Sequence, residues 1–301
     1  DATFVGKGKL PQRPNGALLD VLNAHGVVCE RHNESLELPL TCNGVLQGGN
    51  YTLQGSLSSQ YLTGLLFALP LAGHDSVIEL QGDVTSQSYI EMTLDAVRSA
   101  GIRIENRGKL FKIEGGQGYA LPQSVTVEGD WSSAAFWLVA GVTGKHPIKV
   151  CGMNSSSIQG DRYIVEHLRS MGAFIETAGN KVVAMPSHLF GAELDCMDTP
   201  DLVPVLSIAA ATAQGTTTFT NVGRLRFKES DRLAAMKSVL ASFGIDSTIG
   251  EDSFTVYGGE PRAVSPVDSF GDHRIAMSLA ITALRLEEPL NIKNKECVSK
   301  S

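Results

Sequence analysis

The 301-residue sequence has no apolar run long enough to cross a membrane. Its longest runs, residues 61–72 and 202–213, have about 12 residues and contain glycine or proline, whereas a membrane-spanning helix needs about 20 apolar residues. Such runs are typical of buried helices. Glycine and proline, with 31 and 12 residues, are too few for a low-complexity chain. The sequence therefore predicts an ordered globular protein that does not bind membranes.

Cysteine and positive charge are also scarce. The five cysteines lie far apart and include no C-x-x-C pair, which suits reduced thiols in the cytoplasm rather than a disulfide framework. The 25 basic and 32 acidic residues give a net charge of −7, which argues against a nucleic-acid partner. The sequence lacks a dinucleotide-binding or Walker A glycine motif and metal-ligand spacing, so we expect no cofactor and no metal.

Four amphipathic segments recur along the chain at intervals of about 72 residues. Each has apolar residues at helical spacing and ends at a glycine, which suits the left-handed position that follows a helix. Runs rich in β-forming residues follow each segment and predict hairpins. The four segments are residues 13–26, 88–101, 161–172 and 231–244.

A second kind of predicted helix is apolar on nearly all sides, which is typical of a helix inside a core. Each one leads into a strand and then into a polar loop before the next amphipathic helix. The repeating order is βαβαββ, which predicts an α/β (α+β) fold, with a third strand near residues 124–127. The buried helices are predicted at residues 59–72, 133–142, 201–213 and 273–284.

The two chain ends fall inside this repeat. Residues 4–6 match a strand whose preceding buried helix is absent, and residues 298–301 stop where an amphipathic helix is expected to begin. We therefore expect an internal piece of a longer protein, and a naturally shortened relative is the alternative.

Polar and basic side chains concentrate where the predicted helices begin. A helix N-terminus offers unpaired N–H groups and the positive end of the helix dipole, so it binds phosphate or carboxylate without a basic protein surface. If the helix starts face the same way, five cations line one hollow that takes two or more anionic groups. Ordinary capping and solvated surface charges are the alternative. The cations are Arg13, Lys228, Arg232, Arg274 and Lys300.

Several acid–base candidates lie among these residues. Asp201 begins an apolar run, where burial raises the pKa of a carboxyl and fits it for proton transfer. Lys228 and Glu229 place a cation beside a carboxylate, and His273 is a candidate proton shuttle. Simple capping by Asp201 and a solvated charge run at 228–229 remain open as alternatives.

Five segments together resemble the EPSP synthase family, the 3-phosphoshikimate 1-carboxyvinyltransferases. They occur in family order over nearly the whole chain, which makes the resemblance specific, although no single segment would suffice. The segments are GKLPQRP (8–14), GSLSSQYLT (55–63), GDWSSA (129–134), KESDRLAAM (228–236) and DHRIAM (272–277).

The resemblance implies a two-domain inside-out α/β barrel of the enolpyruvyl transferase type, here incomplete. It places a partial first domain at residues 1–127 and a partial second domain at residues 128–301. Members of the family also have a lysine-bearing strand and an arginine-bearing loop that would precede this chain. We therefore expect activity of the intact parent, whereas the 301-residue piece lacks part of the catalytic site.

The resemblance also implies roles for individual residues. Contacts to shikimate 3-phosphate are implied for Ser58, Ser59, Gln60, Ser86, Tyr89, Asp201 and Lys228. Contacts to phosphoenolpyruvate are implied for Arg13, Gln60, Arg232, Arg274 and Lys300. Asp201 and Glu229 are the implied proton carriers, and His273 lies beside the site. We expect a monomer with these two small-molecule substrates.

The implied reaction adds the 5-hydroxyl of shikimate 3-phosphate to C2 of phosphoenolpyruvate, protonates the methylene carbon and then releases phosphate. UDP-N-acetylglucosamine enolpyruvyl transferase has a similar fold and is an alternative, although residues 58–60 and 228–232 favour shikimate. A non-catalytic ring or binding module built from βαβ repeats is an alternative from another class. The net charge of −7 argues against a ring that encircles nucleic acid.

Overall fold

The fold is described from a computed structural model of the chain. The described residues are 1–8, 10–55, 59–84, 86–262 and 266–300, without the side chain of Lys300. They form two compact units, Asp1–Val125 and Thr126–Ser301. The domain boundary expected after residue 127 stays a prediction.

The first unit combines helices with two sheets. One sheet has the order β1-β3-β2 and is antiparallel; the other has the order β4-β5-β7-β6, in which only β4 and β5 are parallel. The helices are α1 (Gly16–Ala24), α2 (Ser59–Ala68) and α3 (Gln87–Ser99). The strands are β1 (Ala2–Phe4), β2 (Val27–Arg31), β3 (Leu40–Gly44), β4 (Asn50–Gln54), β5 (Ser76–Gln81), β6 (Ile104–Arg107) and β7 (Leu110–Ile113).

The second unit contains the antiparallel sheet β8-β10-β9, the four-stranded sheet β11-β12-β14-β13 and the parallel pair β15-β16. The helices are α4 (Trp131–Thr143), α5 (Ile164–Ser170), α6 (Val203–Ala211), α7 (Arg232–Ser242) and α8 (His273–Ala283). The first strands are β8 (Ile148–Cys151), β9 (Phe174–Ala178), β10 (Lys181–Met185) and β11 (Glu193–Asp195). The remaining strands are β12 (Thr216–Thr220), β13 (Ser247–Ile249), β14 (Ser253–Tyr257), β15 (Val267–Asp268) and β16 (Ile292–Lys293).

The two four-stranded sheets confirm the predicted repeat. Each is built from the chain order βαβαββ, from β4 to β7 and from β11 to β14, and each begins with a parallel pair followed by antiparallel neighbours. The four predicted amphipathic helices also form, and the glycine that follows each has a positive φ. These glycines are Gly26, Gly101, Gly172 and Gly244.

The helices predicted to be apolar on all sides lie in the cores. Helix α6 is buried along its whole length, and α4 is buried at ten of its residues. Helices α2, α6 and α8 begin or end within a few residues of the predicted bounds. Among the described residues, no helix combines the length and apolarity that crossing a membrane requires.

The strand predicted near residues 124–127 is wrong. This segment has no regular secondary structure, and Val127 is 89% exposed. The alternating valines Val125 and Val127 imitate one face of a strand, but a strand also needs a hydrogen-bonding partner, which this segment does not have in the sheets described.

Candidate active site

In the second unit, the starts of several helices meet at one group of charged residues. Asp201 lies in the 3-10 turn Pro200–Leu202 that leads into α6. Arg232 is the first residue of α7, and Asp272 caps the first turn of α8. Lys228 and Glu229 lie in the loop before α7. The convergence of helix starts that the repeat predicted is therefore present within this unit.

Arg232 joins these segments because each of its three guanidinium nitrogen atoms donates a hydrogen bond to a carboxylate. Its Nη1 donates to Asp201 Oδ1 at 2.7 Å, its Nη2 to Glu229 Oε2 at 2.8 Å and its Nε to Asp272 Oδ2 at 2.8 Å. The side chain is only 2% exposed. A buried guanidinium is tolerated only when it is paired and hydrogen-bonded, and here three carboxylates share that task.

Asp201 is surrounded by positive charge. Besides Arg232, its carboxylate lies 3.0 Å from Arg274 Nη2 and 3.6 Å from Lys228 Nζ. Burial alone would raise its pKa, but the charges of Arg274, Lys228 and Arg232 outweigh burial and hold the pKa of Asp201 well below its usual value. The raised pKa expected from the sequence is therefore wrong, because the sequence did not show that three cations converge on this carboxylate.

The pKa of Lys228 is also lowered, which for an amine disfavours the charged form. Burial lowers the pKa of Lys228, and the neighbouring guanidinium groups of Arg232 and Arg224 add to this effect, although the Asp201 carboxylate opposes it. Its ammonium group therefore gives up a proton more readily than an exposed lysine does.

Asp272 also belongs to this charged group, although the sequence did not indicate a role for it. Its side chain is fully buried, accepts from Arg232 Nε and from Ser230 Oγ, and also accepts from the backbone N–H of Arg274 at 3.0 Å. A signal was present, because aspartates recur at helix starts throughout this unit. They are Asp130, Asp161, Asp201, Asp231 and Asp272. Because an aspartate at a helix start is already explained as an N-cap, the sequence offered no reason to pair Asp272 with Arg232.

Asp161 is a second carboxyl that the sequence did not single out. It is buried in the 3-10 turn Gly160–Tyr163, and its Oδ2 accepts from Ser132 Oγ in the first turn of α4. Its Oδ1 has no hydrogen-bond partner among the described residues. Burial raises the pKa of Asp161 to about 6, and the nearby charges of Asp201 and Arg274 act in opposite directions on it.

His273 stands next to this group at the first position of α8. Its Nδ1 lies 3.7 Å from Asp272 Oδ1. The structure thus brings together Asp201, Lys228, Glu229, Arg232, His273 and Arg274 of the predicted site. The side chain of Lys300, the remaining predicted residue of this unit, lies outside the described residues.

Four predicted residues of the first unit lie at helix starts, whereas Arg13 lies between the 3-10 turn Leu10–Gln12 and α1. Ser59 and Gln60 open α2, and Ser86 and Tyr89 lie at the start of α3, whereas Ser58 lies outside the described residues. The two helices are neighbours, because Thr63 Oγ1 of α2 and Thr93 Oγ1 of α3 are 2.9 Å apart. Tyr61 donates its hydroxyl proton to the carbonyl oxygen of Pro14, which fixes the segment next to Arg13 against α2.

Within the described parts of the chain, His, Cys, Asp and Glu side chains do not gather in groups of three or more that could hold a metal ion.

The comparison with known proteins gives the family. Residues 1–301 match the family described as EPSP synthase (3-phosphoshikimate 1-carboxyvinyltransferase). The chain belongs to the EPSP synthase family. A relative named 3-phosphoshikimate 1-carboxyvinyltransferase from Clostridium kluyveri is 42% identical over the whole chain, which covers 70% of that protein. A relative of the same name from Methanocella arvoryzae is 37% identical over 98% of the chain and is also covered to 70%.

Solved structures agree with this assignment. An EPSP synthase from Acinetobacter baumannii superposes with a TM-score of 0.77 at 27% identity, covering 99% of this chain and 70% of that one. The enolpyruvyl transferase NikO from Streptomyces tendae gives a TM-score of 0.77 at 18% identity over 96% of this chain and 68% of that one, a likeness of fold alone. The chain therefore has the α/β fold of the enolpyruvyl transferases and spans about 70% of the length of these relatives.

Proposed function

We propose that the charged group around Asp201 binds the anionic substrates of carboxyvinyl transfer, shikimate 3-phosphate and phosphoenolpyruvate. The observation that carries this proposal is the ionised Asp201 held among Arg274, Lys228 and Arg232 at converging helix starts. A carboxylate kept ionised accepts a hydrogen bond from a substrate hydroxyl, and the cations beside it attract the phosphate and carboxylate groups of the substrates.

The three cations differ in how exposed their side chains are, and this difference indicates different roles. Arg232 is 2% exposed and holds three carboxylates, so its first task is to orient Asp201 and Glu229. Arg274 and Lys228 have side chains that are 13% and 33% exposed, and a substrate anion reaches them more easily. The predicted contact of Arg232 with phosphoenolpyruvate requires Arg232 to exchange one of its carboxylates for the substrate.

The proton transfers fall to the two carboxylates. Asp201 takes the proton of the 5-hydroxyl as the hydroxyl oxygen attacks C2 of phosphoenolpyruvate, and Glu229, in its protonated form, gives its proton to the methylene carbon. Glu229 then takes a proton back from the resulting methyl group as the C–O bond to phosphate breaks and phosphate departs. When dianionic substrates draw the cations toward themselves, the pKa of Asp201 rises, which makes it a better base during the addition.

The first unit supplies further contacts in this proposal. Ser59, Gln60, Ser86 and Tyr89 bind shikimate 3-phosphate, and their positions at helix starts support this role because such ends favour anions. Arg13 binds phosphoenolpyruvate through its positive charge. The protein acts as a cytoplasmic monomer in this proposal. It has no nucleic-acid partner, which agrees with its net charge of −7.

Isothermal titration of the 301-residue chain tests the proposal. We expect shikimate 3-phosphate to bind, and to bind more tightly when phosphoenolpyruvate is present. Arg274→Gln should weaken the binding of phosphoenolpyruvate in the presence of shikimate 3-phosphate about tenfold or more, since it removes a charged hydrogen-bond donor. Arg262→Gln, a change at an exposed arginine of the same unit, is the matched control. Equal affinity for both variants, or binding of UDP-N-acetylglucosamine in place of shikimate 3-phosphate, would contradict the proposal.

A further inference from the structure

Two cysteines of the first unit face each other across a pair of strands. Cys29 in β2 is the direct partner of Cys42 in the antiparallel β3. Their Sγ atoms are 3.1 Å apart, and both residues are half-buried. Neither cysteine belongs to the charged groups described above, so this pair needs an explanation of its own.

The hydrogen-bond pattern shows which kind of pair this is. The N–H of Cys29 donates to Asn23 Oδ1 at 2.8 Å, and therefore points away from β3. The N–H of His32 donates to the carbonyl of Pro39 at 3.0 Å, which sets the bonded positions of the ladder at 32 and 39 and, by alternation, at 30 and 41. Cys29 and Cys42 thus form a non-hydrogen-bonded pair, the closer kind, with Cα atoms about 4.5 Å apart.

This spacing lies within the range that a disulfide spans, about 4.4 to 6.8 Å between Cα atoms. We propose that Cys29 and Cys42 are a thiol–disulfide modification site, reduced in a reducing cell and closed by a low-molecular-weight disulfide such as oxidised glutathione. One thiolate attacks the glutathione disulfide and releases one glutathione thiol. The second cysteine then attacks the mixed disulfide and releases the other, so that two protein thiols are oxidised and one disulfide is reduced.

Burial, together with the Cys42 thiol, raises the pKa of Cys29 to about 12, which keeps the Cys29 thiol protonated in the reduced pair.

A disulfide here would close the loop of residues 32–39 at its base. This loop contacts the segment that carries Arg13, because the N–H of Glu37 donates to the carbonyl of Pro11 at 2.7 Å. Glu37 also pairs with Arg31 at the end of β2 at 2.7 Å. Oxidation would tie the middle of β2 to the middle of β3 and so restrict the separation of the two strands that carry the loop.

Peptide mapping of the full chain tests the proposal. The protein is equilibrated in glutathione buffers of increasing oxidised fraction, blocked with iodoacetamide and digested with trypsin without reductant. We expect a linked pair of peptides, residues 10–31 with residues 32–98, to appear as the buffer becomes oxidising. Its appearance should coincide with a rise of the thermal midpoint by several degrees, since a cross-link restricts the unfolded chain.

Cys29→Ser and Cys42→Ser should abolish both the linked peptides and the rise, whereas Cys297→Ser, at another half-buried cysteine, should preserve both. Phenylarsine oxide, which bridges neighbouring thiols, should protect the pair from iodoacetamide in the unaltered chain and in Cys297→Ser only. Independent alkylation of Cys29 and Cys42 in every buffer, or glutathione retained on one of them without linked peptides, would overturn the proposal.

Discussion

At the scale of single residues, the charged site depends on how Arg232 is compensated. Its three nitrogen atoms each reach a carboxylate, and the most deeply buried of these carboxylates belongs to Asp272. Removing one partner of a buried pair leaves an uncompensated charge in a low-dielectric environment, which costs far more than the loss of a surface ion pair. The same ion pairs of Arg232 therefore stabilise the second unit and hold the charged side chains of its site in place.

Asp272→Asn tests this dependence. The change keeps the shape of the side chain but removes the charge that faces Arg232 Nε, so we expect the free energy of unfolding to fall by about 3 kcal/mol. Chemical denaturation at neutral pH measures it. Asp231→Asn is the matched control, because Asp231 caps α7 from an exposed position, and its loss should stay below about 1 kcal/mol. Similar losses for the two variants would refute the argument.

The buried carboxyl of Asp161 predicts a dependence of stability on pH. Burial raises its pKa from 3.8 to about 6, so the folded state holds this proton more tightly than the unfolded state. Asp161 consequently lowers stability as the pH rises from about 4 to 6, by roughly 3 kcal/mol in all. Above that range its effect is constant.

Asp161→Asn removes this titration. Relative to the unaltered protein, the variant should therefore gain about 2 to 3 kcal/mol between pH 4 and pH 7.5, as measured by urea denaturation at both values. A difference between the two proteins that is the same at pH 4 and pH 7.5 would show that the carboxyl is not buried in this way.

At the scale of elements, helix existence follows from the sequence, whereas helix boundaries depend on caps. The apolar run of α4 predicted a start at Ser133, but the helix begins at Trp131 because Asp130 accepts from the N–H groups of Ser132 and Ser133. Helix α6 begins after a 3-10 turn instead of at Asp201. Such differences of two residues arise from local hydrogen bonds that hydrophobic periodicity does not report.

Two helical glycines give a prediction at this scale. In α4, a Cβ on Gly141 would meet the Cβ and carbonyl oxygen of Ala184 in β10 at 2.8 Å, whereas a Cβ on Gly64 in α2 would meet nothing within 4 Å. Gly64→Ala should therefore raise the free energy of unfolding by up to about 1 kcal/mol, because alanine is the better helix former.

Gly141→Ala should instead lower the free energy of unfolding by about 1 to 3 kcal/mol, because the helix and the strand must separate. Denaturation of the two variants under the same conditions provides the comparison. Stabilisation by Gly141→Ala would show that α4 and β10 are not packed this closely.

At the scale of the whole chain, each unit has its own core. Leu66 of α2 lies in the core of the first unit and Leu206 of α6 in that of the second, and both are fully buried. Leu66→Ala and Leu206→Ala should each cost about 2 to 5 kcal/mol. Hydrogen exchange should show the loss of protection mainly in the unit that carries the change, and an equal loss in both units for either variant would contradict this.

The sequence predicted the repeated architecture because the period of the helices and the glycines that end them are local features. It also predicted which residues would stand at helix starts. It could not predict that Arg232 would be buried, or that Asp272, 40 positions later, would be its partner, since both residue types are common on surfaces and at caps. The lowered pKa of Asp201 could not be predicted from the sequence either, because it depends on charges that only the fold brings together.

One carboxylate has two duties in this molecule. Asp272 caps the N-terminus of α8 and also neutralises Arg232 on α7. A chain in which these two helices have not yet docked therefore has no assembled charge constellation with which to attract a metabolite. Substrate binding by this group thus requires that this region has folded. A substitution at position 272 would therefore be selected against for two reasons, the loss of folding stability and the loss of substrate binding.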